Sequence, residues 1–216
     1  LGEGNKASTL YISDNLRLMV AAERASVKDI ANVLTKDLVK EKATLLFKTI
    51  RRDFNISNPR IAVLSLNPTA QGKEEQEIIL PAIKEMEEDS VQAFGPYTAE
   101  EFFENGYYDQ FDGILALYYD QGVPPLKALA TESVVKFNAN LPIIATEPDC
   151  HTRFDIAGQC IADASSLRHA IYTAIDIYRN RKRYDEPLQN PLPKLYREKH
   201  DDGEKVRFSI PKKKHE

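Results

Sequence analysis

The residues of this 216-residue chain that could do chemistry are few and far apart. Cys150 stands beside His151, a thiol next to an imidazole, which is the composition of a nucleophile with its base. Neighbours in an extended loop point apart, so these two cannot readily share a proton. His169 falls in an amphipathic pattern, and His200 and His215 fall in a polar tail, so structural or solvated imidazoles account for all three. Lys127 and Lys136 carry ammonium groups able to fix an oxyanion, and Arg24 could add a third positive charge; a solvated surface cation is the plainer account of each. The run Tyr118-Tyr119-Asp120-Gln121-Gly122 ends an apolar segment with polar groups. Asp120 there reads as an Asx-type turn residue supporting a loop at the mouth of a cleft.

Composition narrows the choice of chemistry. Only nine glycines occur, roughly 4% against about 7% in average proteins, and neither a GxGxxG nor a P-loop is present. The two cysteines, Cys150 and Cys160, lack metal-type spacing and are too few for a disulfide framework, which suits a reducing compartment and points to the cytoplasm. A formal net charge of -4 gives no global attraction to nucleic acid or anionic lipid, so any anion site must be local. No apolar run approaches the ~20 residues of a membrane-spanning helix. The chain opens on Leu1-Gly2 without a secretion pattern and reads as part of a longer protein.

The elements that must position these residues alternate between short apolar runs and helical patterns. Leu16 to Ala21 reads as a strand, followed by a Ser26-capped helix through Leu34 and a second helix from Lys36 to Phe54. Ile61 to Leu66 is a continuously buried strand ending at Asn67-Pro68. Glu74 to Glu88 is helical around Pro81, Val91 to Phe94 is a short strand, and Thr98-Ala99-Glu100-Glu101 is a capping box. Gly113 to Tyr118 should lie in the centre of the sheet and turn at Asp120-Gln121-Gly122. A helix near Pro125 to Ala130, a strand or strand pair over Val134 to Ala145 and a polar loop from Thr146 to Arg153 come next. In the last helix, Ser165 to Arg181, residues Leu167, Ala170, Ile171, Ala174, Ile175 and Tyr178 share one face. Residues 1–183 form one α/β domain, and residues 184–216 a charged, proline-containing arm. The alternation argues for a mainly parallel sheet with helices on both faces. Ligands of such sheets bind beyond the carboxyl ends of the strands, here after Leu66, Tyr118 and Ala145.

Several blocks at those loops occur together in one known family. Asp14-Asn15-Leu16-Arg17, Leu66-Asn67-Pro68, Glu74-Glu75-Gln76-Glu77-Ile78-Ile79 and Phe94-Gly95-Pro96 are followed by Asp112-Gly113-Ile114-Leu115-Ala116, Tyr118-Tyr119-Asp120-Gln121-Gly122 and Phe154-Asp155-Ile156-Ala157-Gly158. In order and approximate spacing the chain resembles the C-terminal portion of the 4-hydroxythreonine-4-phosphate dehydrogenase family of vitamin B6 biosynthesis. The resemblance implies an isocitrate/isopropylmalate dehydrogenase-like fold, a homodimer, and an NAD- and divalent-metal-dependent oxidation of a phosphorylated hydroxy-amino acid. It also implies three metal-binding histidines at the subunit boundary and a lysine, an asparagine and an arginine on the substrate.

Position by position, the three metal histidines fall on Arg24, Thr69 and Tyr119. The lysine is kept as Lys127, the asparagine position holds Lys136, and the arginine position holds Ala145. The family's Asp-His-Gly-Thr loop reads Asp149-Cys150-His151-Thr152, and the glycine-rich loop after Asn67-Pro68 is shortened. Arginine does not deprotonate to become a ligand, and Thr or Tyr hydroxyls are poor partners for a divalent cation, so no divalent metal is expected. Lys127, Lys136 and Asp120 remain as candidate binding residues for a phosphorylated small molecule, with Arg24 as a fixed cation and Tyr118 and Tyr119 filling the pocket with ring volume. Three readings stay open: a divergent member with lost or altered catalysis, an active oxidoreductase with a displaced metal site, and a non-enzymatic anion-binding or dimer scaffold. Nucleic acid and membrane are not expected partners.

Overall fold

A computed structural model describes residues 7–191 apart from Asn15, Glu132 and residues 151–153. Seven strands form one sheet in the order β4-β3-β5-β2-β1-β6-β7. These are β1 Ser8–Ser13, β2 Leu16–Val20, β3 Ile61–Leu64, β4 Ala93–Tyr97, β5 Gly113–Ala116, β6 Val135–Ala139 and β7 Thr146–Pro148. Strands β2, β5, β3 and β4 pair in parallel, whereas β1 runs antiparallel to both β2 and β6, and β7 antiparallel to β6. The parallel part carries the crossover helices; the antiparallel part closes one side. This is the α/β architecture that the sequence implies, a sheet with helices on both faces.

Both faces are covered, which is why β3 and β5 are apolar without interruption. Met19, Ile61, Val63 and Leu115 face helices α2 Lys36–Asp53, α3 Leu80–Glu88 and α6 Ser165–Gln189. Leu18, Val20, Ala62, Leu64, Ile114 and Ala116 face α4 Ala99–Glu104 and α5 Tyr119–Leu129. Helix α2 starts where Thr35 accepts a hydrogen bond from the Leu38 amide at 3.2 Å, and it buries Val39, Ala43, Leu46, Phe47 and Ile50. Thr98 caps α4 in the same way through the Glu101 amide.

Several elements differ from expectation. Strand β1 was hidden by its serines: Ser8 and Ser13 are buried polar residues, and the Ser8 hydroxyl accepts from Lys42 Nζ at 2.6 Å. The expected helix from Ser26 to Leu34 is a 3-10 turn, Val27–Asp29, and a single α turn, α1 Ile30–Val33, with Val27 and Val33 left exposed. The strand placed at Val91 to Phe94 begins two residues later, at Ala93. The expected polar loop after Ala145 contains β7, which extends the sheet beside β6. The middle strand of the seven is β2, with β5 directly beside it.

Helix α6 runs to Gln189, six residues into the stretch read as an arm; most of that stretch lies outside the described residues. Its buried face carries Ala170, Ile177 and Arg181, whereas Leu167, Ile171, Ile175 and Tyr178 are exposed, so the apolar stripe read from the sequence covers none of the core except at Ala170. No described helix is long and apolar enough to cross a membrane.

Candidate strand-end cleft and its lysine pair

The parallel strands β3, β5 and β2 are neighbours, so the segments that follow them emerge at one edge of the sheet. Hydrogen bonds lace these segments together beyond the strands. The Ala21 and Ala22 amides donate to the Ala116 and Leu117 carbonyls at 2.8 and 3.0 Å. Buried Gln121 joins the other pair: its Oε1 accepts from the Leu117 amide at 2.8 Å, and its Nε2 donates to the Ser65 carbonyl. The Ser65 hydroxyl in turn donates to the Asn67 carbonyl at 2.8 Å.

The loop after β3 has its own anchor. Glu75, fully buried in a π-helical turn, accepts from the Asn67 amide at 2.7 Å and from Asn67 Nδ2 at 2.9 Å. Burial by itself raises the Glu75 carboxyl, but the hydrogen bonds from Asn67 outweigh it and hold the group below the usual carboxylate range. Gly72 makes room for this contact, because a Cβ there would sit 2.2 Å from Asn67 Nδ2 and 2.4 Å from Glu75 Oε2. Glycine at this position therefore serves a close approach.

The sequence placed a turn at Asp120-Gln121-Gly122. The structure instead begins α5 at Tyr119, and the segment is the first turn of that helix. Pro124 and Pro125 lie inside α5; a Pro pair normally marks a helix start, which moved the expected boundary. Gly122 lets this turn lie on the sheet, since a Cβ would meet Ala116 Cβ at 2.6 Å and Leu18 Cδ1 at 2.8 Å. Asp120 is exposed and makes no turn hydrogen bond to a described residue. The supporting role assigned to it belongs to Gln121, and its carboxylate instead lies near the positive end of the helix dipole.

The expected cation group is brought together only in part. Lys127, in the last turn of α5, and Lys136, on β6, converge on Asp149 just after β7, with Nζ to carboxylate distances of 2.5 and 2.9 Å. The Asp149 side chain is only 8% exposed, against 36% and 28% for the two lysines. Burial pushes its carboxyl up, yet the two ammonium groups overcome this and leave it below its ordinary value. Lys136 is held above its ordinary value by its hydrogen bond to the same carboxylate. Arg24 does not join them: it is exposed after β2.

Residues that sequence reasoning missed complete the surroundings. Tyr11 is the cross-strand partner of Lys136, and its hydroxyl donates to Glu23 Oε1 at 3.0 Å. Burial first, and then the Glu23 carboxylate, push the Tyr11 hydroxyl well above its usual value. The ring of Tyr119 meets Tyr11 edge-on, with centroids 6.1 Å apart, so the strand-end edge and the lysine pair adjoin. Tyr119 remains 37% exposed, while Tyr118 packs against the core on the α2 side. Neither Asp149 nor Tyr11 had a sequence signal beyond the Asp-Cys-His-Thr block, because their partners lie on other elements.

Comparison with known proteins decides the ancestry. The model of the family described as pyridoxal phosphate biosynthetic protein PdxA matches residues 2–174. The chain belongs to this family. It is 47% identical over 213 residues to 4-hydroxythreonine-4-phosphate dehydrogenase of Bacteroides thetaiotaomicron, covering 96% of this chain and 58% of that protein. The enzyme of the same name from a Sulfurihydrogenibium species is 39% identical over 172 residues, covering 77% of this chain and 53% of its own. Among solved structures, the Klebsiella pneumoniae 4-hydroxythreonine-4-phosphate dehydrogenase superposes with a TM-score of 0.70 at 29% identity, over 79% of this chain and 53% of that one. The Burkholderia phymatum enzyme gives 0.68 at 28% identity, over 80% and 54%. The chain thus spans about half the length of the relatives it matches.

The side chains at the expected metal positions do not fit a divalent cation. Thr69 and Arg24 are exposed ends of segments after β3 and β2, Tyr119 opens α5, and together they offer a guanidinium and two neutral hydroxyls. Among the described residues no three His, Cys, Asp or Glu side chains stand together as a metal-binding group. His151 lies outside the described residues.

Proposed function

We propose that this chain is a divergent member of the family in which the metal-dependent oxidation of 4-hydroxythreonine 4-phosphate is lost or altered, while the strand-end cleft is retained. One observation carries the reading: the three positions that should donate imidazole hold Arg24, Thr69 and Tyr119. A guanidinium at a cation site adds charge repulsion to the loss of a ligand. NAD remains the cofactor, and a homodimer the assembly, that the family implies. The decisive test combines metal analysis of the purified protein with NADH formation from 4-phosphohydroxythreonine. Absence of both is expected; stoichiometric zinc with turnover would overturn the reading in favour of a displaced metal site.

A second reading, recognition of a small anion without oxidation, is favoured by the Lys127 and Lys136 pair, whose two positive charges meet a single carboxylate. Both lysine side chains are partly exposed, and two ammonium groups are suited to hold a phosphate or carboxylate. Tyr11 and Tyr119 would bound such a ligand on one side. A thermal-shift screen of NAD, phosphate esters and divalent metals separates the two readings, because a ligand that binds only the folded chain raises its melting temperature.

A further inference from the structure

We propose that Asp149 is a built-in competitor for the anion site of Lys127 and Lys136, so that an entering oxyanion must displace its carboxylate. The inference rests on anion binding at the lysine pair, which phosphate titration reads separately from metal content and turnover.

Three observations carry it. First, the two lysines come from different elements, α5 and β6, yet both ammonium groups stand within 2.9 Å of one carboxylate, Lys127 beside Oδ2 and Lys136 beside Oδ1. Second, Asp149 is tied by its main chain. Its amide donates to the Val134 carbonyl at 2.9 Å, and the preceding Pro148 is paired with Val135 across β6 and β7. Its carboxylate is therefore presented to the lysines at a high effective concentration. Third, the exposures differ: the lysine side chains are partly open to solvent, while the Asp149 side chain is covered.

The donor set, not the net charge, fixes the class of ligand. Lys127 and Lys136 are the cations, and the Asp149 carboxylate on both, Glu23 on the Tyr11 hydroxyl and Glu147 opposite Lys136 leave no surplus positive charge, so a ligand must be held by direct contact with the ammonium groups. A small oxyanion with at least two oxygens, such as a phosphate, can take both ammonium groups at once. With Asp149 in place that anion must compete with a tethered carboxylate and then tolerate its charge nearby. Removing the Asp149 charge while keeping its shape should strengthen binding.

The test is isothermal titration with inorganic phosphate at low ionic strength on the chain and on Asp149→Asn. The variant is expected to bind phosphate at least tenfold more tightly, and Lys127→Ala added to it should abolish the gain. Equal affinity of the folded variant and the parent chain would overturn the proposal, as would a gain that survives loss of Lys127. Should Asp149→Asn prove too unstable to titrate, carboxyl-carbon NMR of the unsubstituted chain answers the same question. Phosphate is expected to move the Asp149 signal as its lysine contacts are lost; an unmoved signal at saturation sinks the idea.

Discussion

Two carboxylates of this molecule meet cationic side chains under cover, and they are organised in opposite ways. Asp53, at the end of α2, receives Arg181 of α6 through Nε at 2.8 Å and through a second guanidinium nitrogen at 3.1 Å. Another nitrogen of Arg181 donates to the Leu141 carbonyl, and the guanidinium lies 5.8 Å from the Phe137 ring centroid. Both side chains are nearly covered, and one charge meets one charge. Asp149 meets two lysines whose side chains stay partly exposed. A nearly covered bidentate pair fastens α6 to α2, each charge satisfied by the other; the partly exposed cluster sets two cations against one carboxylate.

The largest effect should come from breaking the closed pair. Arg181→Met leaves Asp53 buried without its counter-ion, and a loss of about 3–5 kcal/mol is expected in urea unfolding. A loss no larger than that of Asp149→Asn would erase the contrast. Next comes the anchoring of the cleft: Gln121→Ala strands the Leu117 amide and the Ser65 carbonyl, for about 1–3 kcal/mol by the same measurement. A smaller effect is pH-dependent. Asp149 and Glu75 are both held below their ordinary values, so their contribution to stability is complete above the unfolded-state values and fades as pH falls through the lower folded-state values. Unfolding midpoints should decline on the acid side of about pH 4.5, with a shallower decline in Asp149→Asn. The smallest effect belongs to the Arg52 and Asp185 pair, which is part exposed: Arg52→Ala should cost at most about 1 kcal/mol, less at high salt.

Much of this architecture is readable along the chain. Ile61 to Leu64 and Gly113 to Ala116 announce buried strands because both faces of the sheet are covered, and α2 announces itself by period and cap. The errors have physical causes. Ser8 and Ser13 look like loop residues until Lys42 is seen beside Ser8, and the Pro124-Pro125 pair imitates a helix start. The exposed stripe of α6 reads as core because periodicity reports a face, not what covers it.

For the candidate site the division is sharper. By itself the sequence determined the family, the strand-end loops and the absence of imidazole at Arg24, Thr69 and Tyr119, since residue identity at an aligned position is a one-dimensional fact. Only the tertiary structure decided that Gln121 rather than Asp120 supports the loop, and that Lys127 and Lys136 share Asp149 while Arg24 stands apart. Those contacts join α5, β6 and the end of β7, and electrostatic pairing across separate elements leaves no periodicity in the chain that carries it.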